Sequence, residues 1–570
     1  MFSNIKRFWR KGRLNVNKSI DPDEIFIDSK NLPDFDKHQL EGRLEKPISY
    51  SVFGFMSVFI LLVGVIFVYR LWGLQIVEGE NFRKRSDDNS LHNTLIFADR
   101  GVIFDRNKVP IVWNTINPEG DEFSLRQYAT SSGLSTTLGY LKYPTKDSSG
   151  FYYQDKFVPK DGLEKLYDSM LSGRDGIKII ETDVRGKVVS QSVVQSPQDG
   201  NNLDTSLDLG LQKRLYSSII DVASRGGFKG GAGVIMNVET GEIISLANYP
   251  EYDSQTLSLG QETDKINAWI KSTNHPFMNR VVDGLYTPGS IMKVFVAMGV
   301  LEEEVIDPRK QILSTGSISI PNPFFPDKPS VFVDWKAHGL VDLRRALAVS
   351  SNVYFYEVSG GYKGQEGIGI NNIEKYTRMF GFGTTTGINF LNEKEGTIPN
   401  PEWKKIAFKG DNWRVGDTYN TSIGQYGFQV SPLQVVRAFG GIATNGTLVT
   451  PTLLKVNDPQ EVKKENTGTG LESANYKIVK EGMRMCVTEG TCQAINFPFV
   501  QVAAKTGTAQ IGVNKDEVNS WVAGFWPYNN PKYAFAIVME RASRGNQFGA
   551  VLVMKEFLDW VNIYVPEYLK

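Results

Sequence analysis

The sequence predicts an α+β protein carried on a single N-terminal membrane helix, and three observations predict it. Residues 47–69 (PISYSVFGFMSVFILLVGVIFVY) carry no charge over a length of roughly 35 Å, enough to cross a bilayer. The stretches 232–247 and 519–541 are rich in β-branched and aromatic residues broken by turn signals, as buried hairpins are. Apolar helical runs such as 290–300 (SIMKVFVAMGV) and 343–358 (LRRALAVSSNVYFYEV) lie between them. With 570 residues, 41% of them hydrophobic, the chain can hold more than one packed domain beside the anchor.

Residues 1–46 read as a polar tail, and 47–70 as the anchor. No small-x-small cleavage site follows the apolar run, and it is too long for a signal-peptide core. Tyr69 and Trp72 suit the far interface. Ten Lys/Arg against eight acids in the first 46 residues lean towards an N-terminus inside. Residues 71–204 mix short strands with Gly/Asp/Ser-rich turns such as 143–150, and read as a β-rich pedestal. Residues 205–570 form the main domain, an antiparallel sheet with helices on its faces and a helical lobe. Its 519–541 hairpin turns at Asn529-Asn530-Pro531. Equal numbers of basic and acidic residues, 63 each, give no support for a nucleic-acid partner. There is no C-x-x-C and no H-E-x-x-H, so neither metal nor cofactor is expected. Cys486 and Cys492 could close a small disulfide loop, but two thiols are the expected state.

Three motifs carry the chemistry: Ser290-Ile291-Met292-Lys293, Ser350-Ser351-Asn352 and Lys505-Thr506-Gly507-Thr508. Each alone reads equally as a helix start, a polar turn or a surface strand; the ordered set does not. A serine hydroxyl needs a base within hydrogen-bond reach to attack an acyl group. A helix beginning near Pro288-Gly289 would put Ser290 and Lys293 one turn apart on one face. The apolar run around them predicts burial, which lowers a lysine pKa, and Lys505 could add a second cation. The four histidines, His38, His92, His275 and His338, lie outside the motifs, so a Ser-His-Asp triad is not the expected design.

These motifs resemble those of the penicillin-binding proteins, most closely the class B transpeptidases of the elongation type (penicillin-binding protein 2). The resemblance extends to Arg100–Asn107 (RGVIFDRN), Gly162-Leu163-Glu164 with Asp183 and Arg185-Gly186, and Thr205–Asp208 with Leu211-Gln212. It continues through Ala232–Ala247, Ile423-Gly424-Gln425 and Ser431–Gln434. It implies a serine β-lactamase-like transpeptidase domain that crosslinks peptidoglycan stem peptides and is acylated by β-lactams. Ser290 would be the nucleophile, Lys293 its base, Ser350 a proton relay and Asn352 a holder of the substrate amide. Lys505, Thr506, Gly507 and Thr508 would bind the terminal carboxylate, with the Ser290 and Thr508 amides as oxyanion hole.

Asp334–Gly339 (DWKAHG) resembles an elongation-type feature in which Trp335 and His338 serve packing at least as readily as catalysis. The pedestal is too short for a glycosyltransferase, so the glycan must come from another protein, and the resemblance implies a SEDS-family polymerase as partner, with other wall-elongation proteins. Contact through the anchor and residues 100–107 competes with a reading of that box as a buried Arg/Asp network. The expected location is the cytoplasmic membrane, single-pass, with the catalytic domain outside. A division-type (septal) transpeptidase is the alternative, then a membrane-bound β-lactam sensor or β-lactamase.

Overall fold

The computed structural model describes residues 49–570, apart from 119–121, 131, 148–151, 183–187, 323–324, 391, 459, 461, 463, 466–469 and 513. The 1–46 tail, Asp183 and Arg185-Gly186 lie outside the described residues. Residues up to Ser90 and residues Leu91–Lys570 form separate compact units.

In the first unit, helix α1 (Tyr50–Trp72) continues into a π-helical turn, Gly73–Val77, and buries none of its residues. The apolar span Tyr50–Val77 is 28 residues, roughly 40 Å at the helical rise. The anchor expected at 47–70 therefore starts as a helix at Tyr50 and runs on past Arg70. Its apolar side chains stay exposed because no protein core covers them, the condition of a segment solvated by lipid.

The second unit begins with the β-rich pedestal. Leu91–Ile96, Gly176–Thr182 and Val188–Gln195 form a three-stranded antiparallel sheet. Ile103–Phe104, Pro110–Thr115 and Leu125–Tyr128 form a second sheet, to which Leu203–Asp204 adds in parallel. An ionic cluster lies beneath. Arg100 donates from Nη2 to Glu164 Oε2 at 2.8 Å and from Nη1 to Asp168 at 2.8 Å. Arg126 Nε reaches Glu164 Oε1 at 2.7 Å, and its Nη2 reaches the Gly101 carbonyl at 2.7 Å.

Burial alone would raise the Glu164 carboxyl, but Arg126 and Arg100 outweigh it and hold it below the ordinary range. Its stabilising contribution is thus present above the unfolded carboxylate pKa and is lost as pH falls through the lowered one. Glu164→Gln leaves buried guanidinium groups without their counter-charge. We expect it to destabilise the pedestal by about 3 kcal/mol at neutral pH, read as a lowered midpoint in urea unfolding.

Asp105 ties the same box to the main domain. Its Oδ1 accepts from the amides of Asn107 and Val109 at 2.8 Å, and its Oδ2 from Leu209 N at 3.2 Å. Asn107 Nδ2 donates to Asp208 Oδ2 at 2.8 Å. Arg100 and Asp105 are buried in this network, whereas Asn107 is exposed.

The main domain is built on the strands β1 (Gly230–Asn237), β2 (Ile243–Tyr249), β3 (Ala503–Ile511), β4 (Glu517–Trp526) and β5 (Tyr533–Ser543). They pair antiparallel in the order β2-β1-β5-β4-β3, which leaves β3 at an edge. Both expected hairpins are present, β1-β2 and β4-β5. The helices that concern the site are α2 (Leu209–Gly226), α3 (Lys293–Glu302), α4 (Leu343–Val349), α5 (Asn352–Gly360), α6 (Pro432–Ala443), α7 (Ser473–Glu489) and α8 (Ala550–Tyr564).

Strand alternation splits the sheet's side chains between two cores. Ile235, Ile537 and Met539 pack with α2 and α8 on one face. Val234, Met236, Ala536 and Val538 join α3 and α6 on the other. Local chemistry starts these helices. Asp208 caps α2 by accepting from Leu211 N, and Gly227, at φ 63°, ends it in the left-handed region. Ser431 and Gln434 form a reciprocal capping box on α6, with Pro432 in its first turn. That is the physical content of the Ser431–Gln434 motif.

The cysteines depart from expectation: Cys486 and Cys492 are joined, with Cα atoms 5.2 Å apart. After α7 the amides of Gly490 and Cys492 both donate to the Cys486 carbonyl, at 3.1 and 2.9 Å, and fold the chain back on itself. A Cβ on Gly490 would lie 2.1 Å from the Ala348 carbonyl oxygen, so only glycine lets the loop come this close to α4.

Candidate active site

Ser290 sits in a 3₁₀ turn, Gly289–Met292, and α3 proper begins at Lys293. The expected α-helical start is therefore tighter than one turn of α-helix. Residues i and i+3 eclipse in a 3₁₀ turn, which aligns the serine and the lysine on one face. Trp521 on β4 donates its Nε1–H to the Thr287 carbonyl at 3.0 Å and holds the turn to the sheet. The Gly289 amide donates to the Gly424 carbonyl at 2.9 Å. A Cβ on Gly424, which has φ 72°, would stand 2.2 Å from Gly289 O, so the glycine of the Ile423-Gly424-Gln425 motif permits the close approach to the Ser290 turn. On the other side Gly507 faces the same turn, its added Cβ falling 2.6 Å from Pro288 O. The turn is thus clasped between a loop and the edge strand.

Lys293 is wholly buried and donates to the Ser350 carbonyl at 2.8 Å, to Asn352 Oδ1 at 2.6 Å and to Ser350 Oγ at 3.4 Å. Burial lowers its pKa to about 7, against the opposing charge of Asp334. A neutral amine keeps two N–H donors, which the Ser350 carbonyl and Asn352 satisfy, and has a lone pair left for a proton. Lys505, also buried, donates to Ser350 Oγ at 2.8 Å and to the Thr506 carbonyl at 2.9 Å. Burial, and next the Lys293 charge, push its pKa well down. The two lysines thus meet at one hydroxyl.

Ser350 ends α4 with φ 59°, in the left-handed region that a non-glycine residue adopts at a cost. That conformation turns its carbonyl to Lys293 while its hydroxyl faces Lys505. Along β3, alternation places Lys505 and Gly507 on one side and Thr506 and Thr508 on the other. Thr508 is exposed. The Thr508 carbonyl oxygen is 3.0 Å from where a Gly289 Cβ would sit, so the backbone at Thr508 adjoins the Ser290 turn.

Sequence reading missed one residue that organises this site. The Asp334 carboxylate accepts from the amides of Asn352 and Val353, at 2.7 and 3.0 Å, and from Ser351 Oγ at 3.0 Å. It sits on the open N-terminus of α5, where unpaired amides and the helix dipole favour an anion. It thereby fixes Asn352 under Lys293. The only signal was its place in the Asp334–Gly339 stretch. Trp335 donates to the Val349 carbonyl at 3.3 Å and stands edge-on to His338 beside the second motif, while itself 60% exposed. His338 Nε2 lies 3.8 Å from Asp334. Among the described residues, no three His, Cys, Asp or Glu side chains form a group that could hold a metal ion.

Comparison with known proteins gives concordant results. Residues 231–558 match the family model of the penicillin binding protein transpeptidase domain, and residues 121–205 that of the penicillin-binding protein dimerisation domain. Peptidoglycan D,D-transpeptidase MrdA of Acinetobacter baumannii is 30% identical, the alignment covering 76% of this chain and 66% of that protein. MrdA of Escherichia coli is 26% identical over 88% of this chain and 92% of its own length. Penicillin-binding protein PBP2 of Helicobacter pylori, solved in complex with MreC, superposes with a TM-score of 0.66 at 27% identity, over 83% of this chain and 99% of that one.

Proposed function

The chain belongs to the penicillin-binding protein transpeptidase family, and on that premise we propose that it is a membrane-anchored peptidoglycan D,D-transpeptidase of wall elongation. The Lys293–Ser350–Lys505 chain beside Ser290 is the observation that carries the reading. Neutral Lys293 takes the Ser290 proton as the serine oxygen attacks the penultimate D-Ala carbonyl of a stem peptide. The amides of Ser290 and Thr508 hold the resulting oxyanion. The proton passes from Lys293 through Ser350 to the nitrogen of the departing D-alanine, and the acyl group stays on Ser290. An amine of a neighbouring stem then attacks the ester, closes the crosslink and restores the serine.

Thr506 and Thr508, on the open side of the strand, bind the terminal carboxylate, which a β-lactam mimics. Lys505, expected to join them, is buried on the other side and donates to Ser350 Oγ instead, and Gly507 lets the strand close on the Ser290 turn. Asn352 differs from the role the resemblance implies. Its oxygen is engaged by Lys293, so it orients the base and offers substrate only its Nδ2.

Elongation is supported over the septal alternative by the MrdA relatives and by the neighbour solved with MreC. Partners are accordingly wall-elongation proteins, among them a SEDS-family polymerase that supplies the glycan. The anchor holds the N-terminus inside and the catalytic domain outside, where stem peptides lie. A fluorescent fusion in cells depleted of the native protein tests this. It should restore shape and distribute along the lateral wall, and external protease on spheroplasts should remove the catalytic domain. A signal confined to the septum returns the division reading, and a protected catalytic domain overturns the topology.

A further inference from the structure

The loop closed by the disulfide reaches the carboxylate-binding strand. Thr491 Oγ1 lies 2.5 Å from Thr506 Oγ1 and 3.3 Å from Cys486 Sγ. The Thr491 amide donates to the Ala348 carbonyl at 3.1 Å, two residues before Ser350. One short segment therefore spans from the end of α4 to the third motif, and the Cys486–Cys492 bond closes it. No step of the mechanism above uses either feature.

We infer that Thr491 is a positioning residue for Thr506, and that the disulfide holds in place the loop that carries it. The inference rests on the reading of Thr506 as a carboxylate ligand. Each threonine has one proton to give. A disulfide sulfur has no proton and accepts only weakly, so the Thr491 proton goes to Thr506 Oγ1. With that lone pair engaged, the Thr506 proton is directed outward, to a carboxylate. A thiol at Cys486 could donate its S–H to a lone pair of Thr491 without using the Thr491 proton, so what the bond adds is the covalent closure of the loop. It joins the two ends of a loop whose hydroxyl must hold its place on an edge strand. Both sulfurs are buried.

The test compares acylation of the full-length protein in detergent by benzylpenicillin and by its methyl ester, which lacks the anionic carboxylate. Thr491→Val keeps the shape and removes the hydroxyl. We expect it to lower the rate with the acid about tenfold, on the order of one hydrogen bond to a charged group, and to leave the ester rate unchanged. Thr491→Ser should restore the acid rate, and Cys486→Ala with Cys492→Ala should lower the acid-to-ester ratio in the same direction. Equal loss with acid and ester in Thr491→Val would mean a merely structural role and overturn the inference. An unchanged ratio in the double cysteine variant would overturn the part played by the disulfide. Thr506→Val separates the premise. A selective loss there with none in Thr491→Val sinks this inference alone, whereas no selective loss in Thr506→Val removes the carboxylate reading and the inference with it.

Discussion

Ser290→Ala will abolish covalent labelling by fluorescent penicillin, and peptide mapping of the labelled wild type will find the adduct on Ser290. The expected effect is complete because no other group can take over. Ser350 is the nearest rival, placed between two lysines, but it is buried at 6% exposure, and its hydroxyl is held by Lys505 at 2.8 Å. Its strained backbone points that hydroxyl into the protein. Ser290 is only partly buried, at the start of α3, and Lys293 stands on the same face of its turn. Removing the nucleophile leaves the carboxylate site intact, so reversible binding of penicillin should persist while acylation stops. Labelling of the variant at the wild-type rate would move the nucleophile elsewhere.

Lys293→Arg is expected to slow acylation at least about a hundredfold, within the range that general-base catalysis supplies. The substitution keeps a positive charge but, with a pKa above about 12, removes a lone pair that can accept a proton. Lys293→Met, which has no amine and a side chain of similar length, should lose as much and so separate chemistry from size. The wild-type pH profile follows from the pKa of about 7. Above it the amine is neutral and acts as base. As pH falls below it, the amine takes a proton from solvent, and the acylation rate drops about tenfold per unit. That limb should vanish in Lys293→Met. A near-normal rate in both variants, or an unaltered acid limb, would mean that another group activates Ser290.

Much of this protein is legible in local sequence because the relevant geometry is local. A three-residue spacing fixes which face of a turn two side chains share, and so Ser290 and Lys293 are readable as a pair. An uncharged apolar run reads as the anchor. The two hairpins read from β-rich segments and a turn, and the start of α6 from Ser431 and Gln434. The state of the cysteines was not legible. A separation of six residues is compatible with thiols or a bond, and what joined them is the backward fold of the chain after α7, where Gly490 tucks under Ala348. Nor was the 3₁₀ form of the Ser290 turn legible, with Gly424 and Gly507 packed close on both of its sides.

By itself, then, the sequence determined the pairing of Ser290 with Lys293, the long apolar helix and the order of the motifs, since each depends on residues within a few positions. Only the tertiary structure decided what those residues meet. Lys505 reaches Ser350 across 155 residues, Glu164 joins two arginines 64 and 38 residues before it, and Asp334 settles on the amides of α5. Such meetings are set by which strands pair and which helix ends are left open. Burial then does the rest: it is the removal of water around Lys293, a property of the packed fold and not of the motif, that brings its amine into the range of a base.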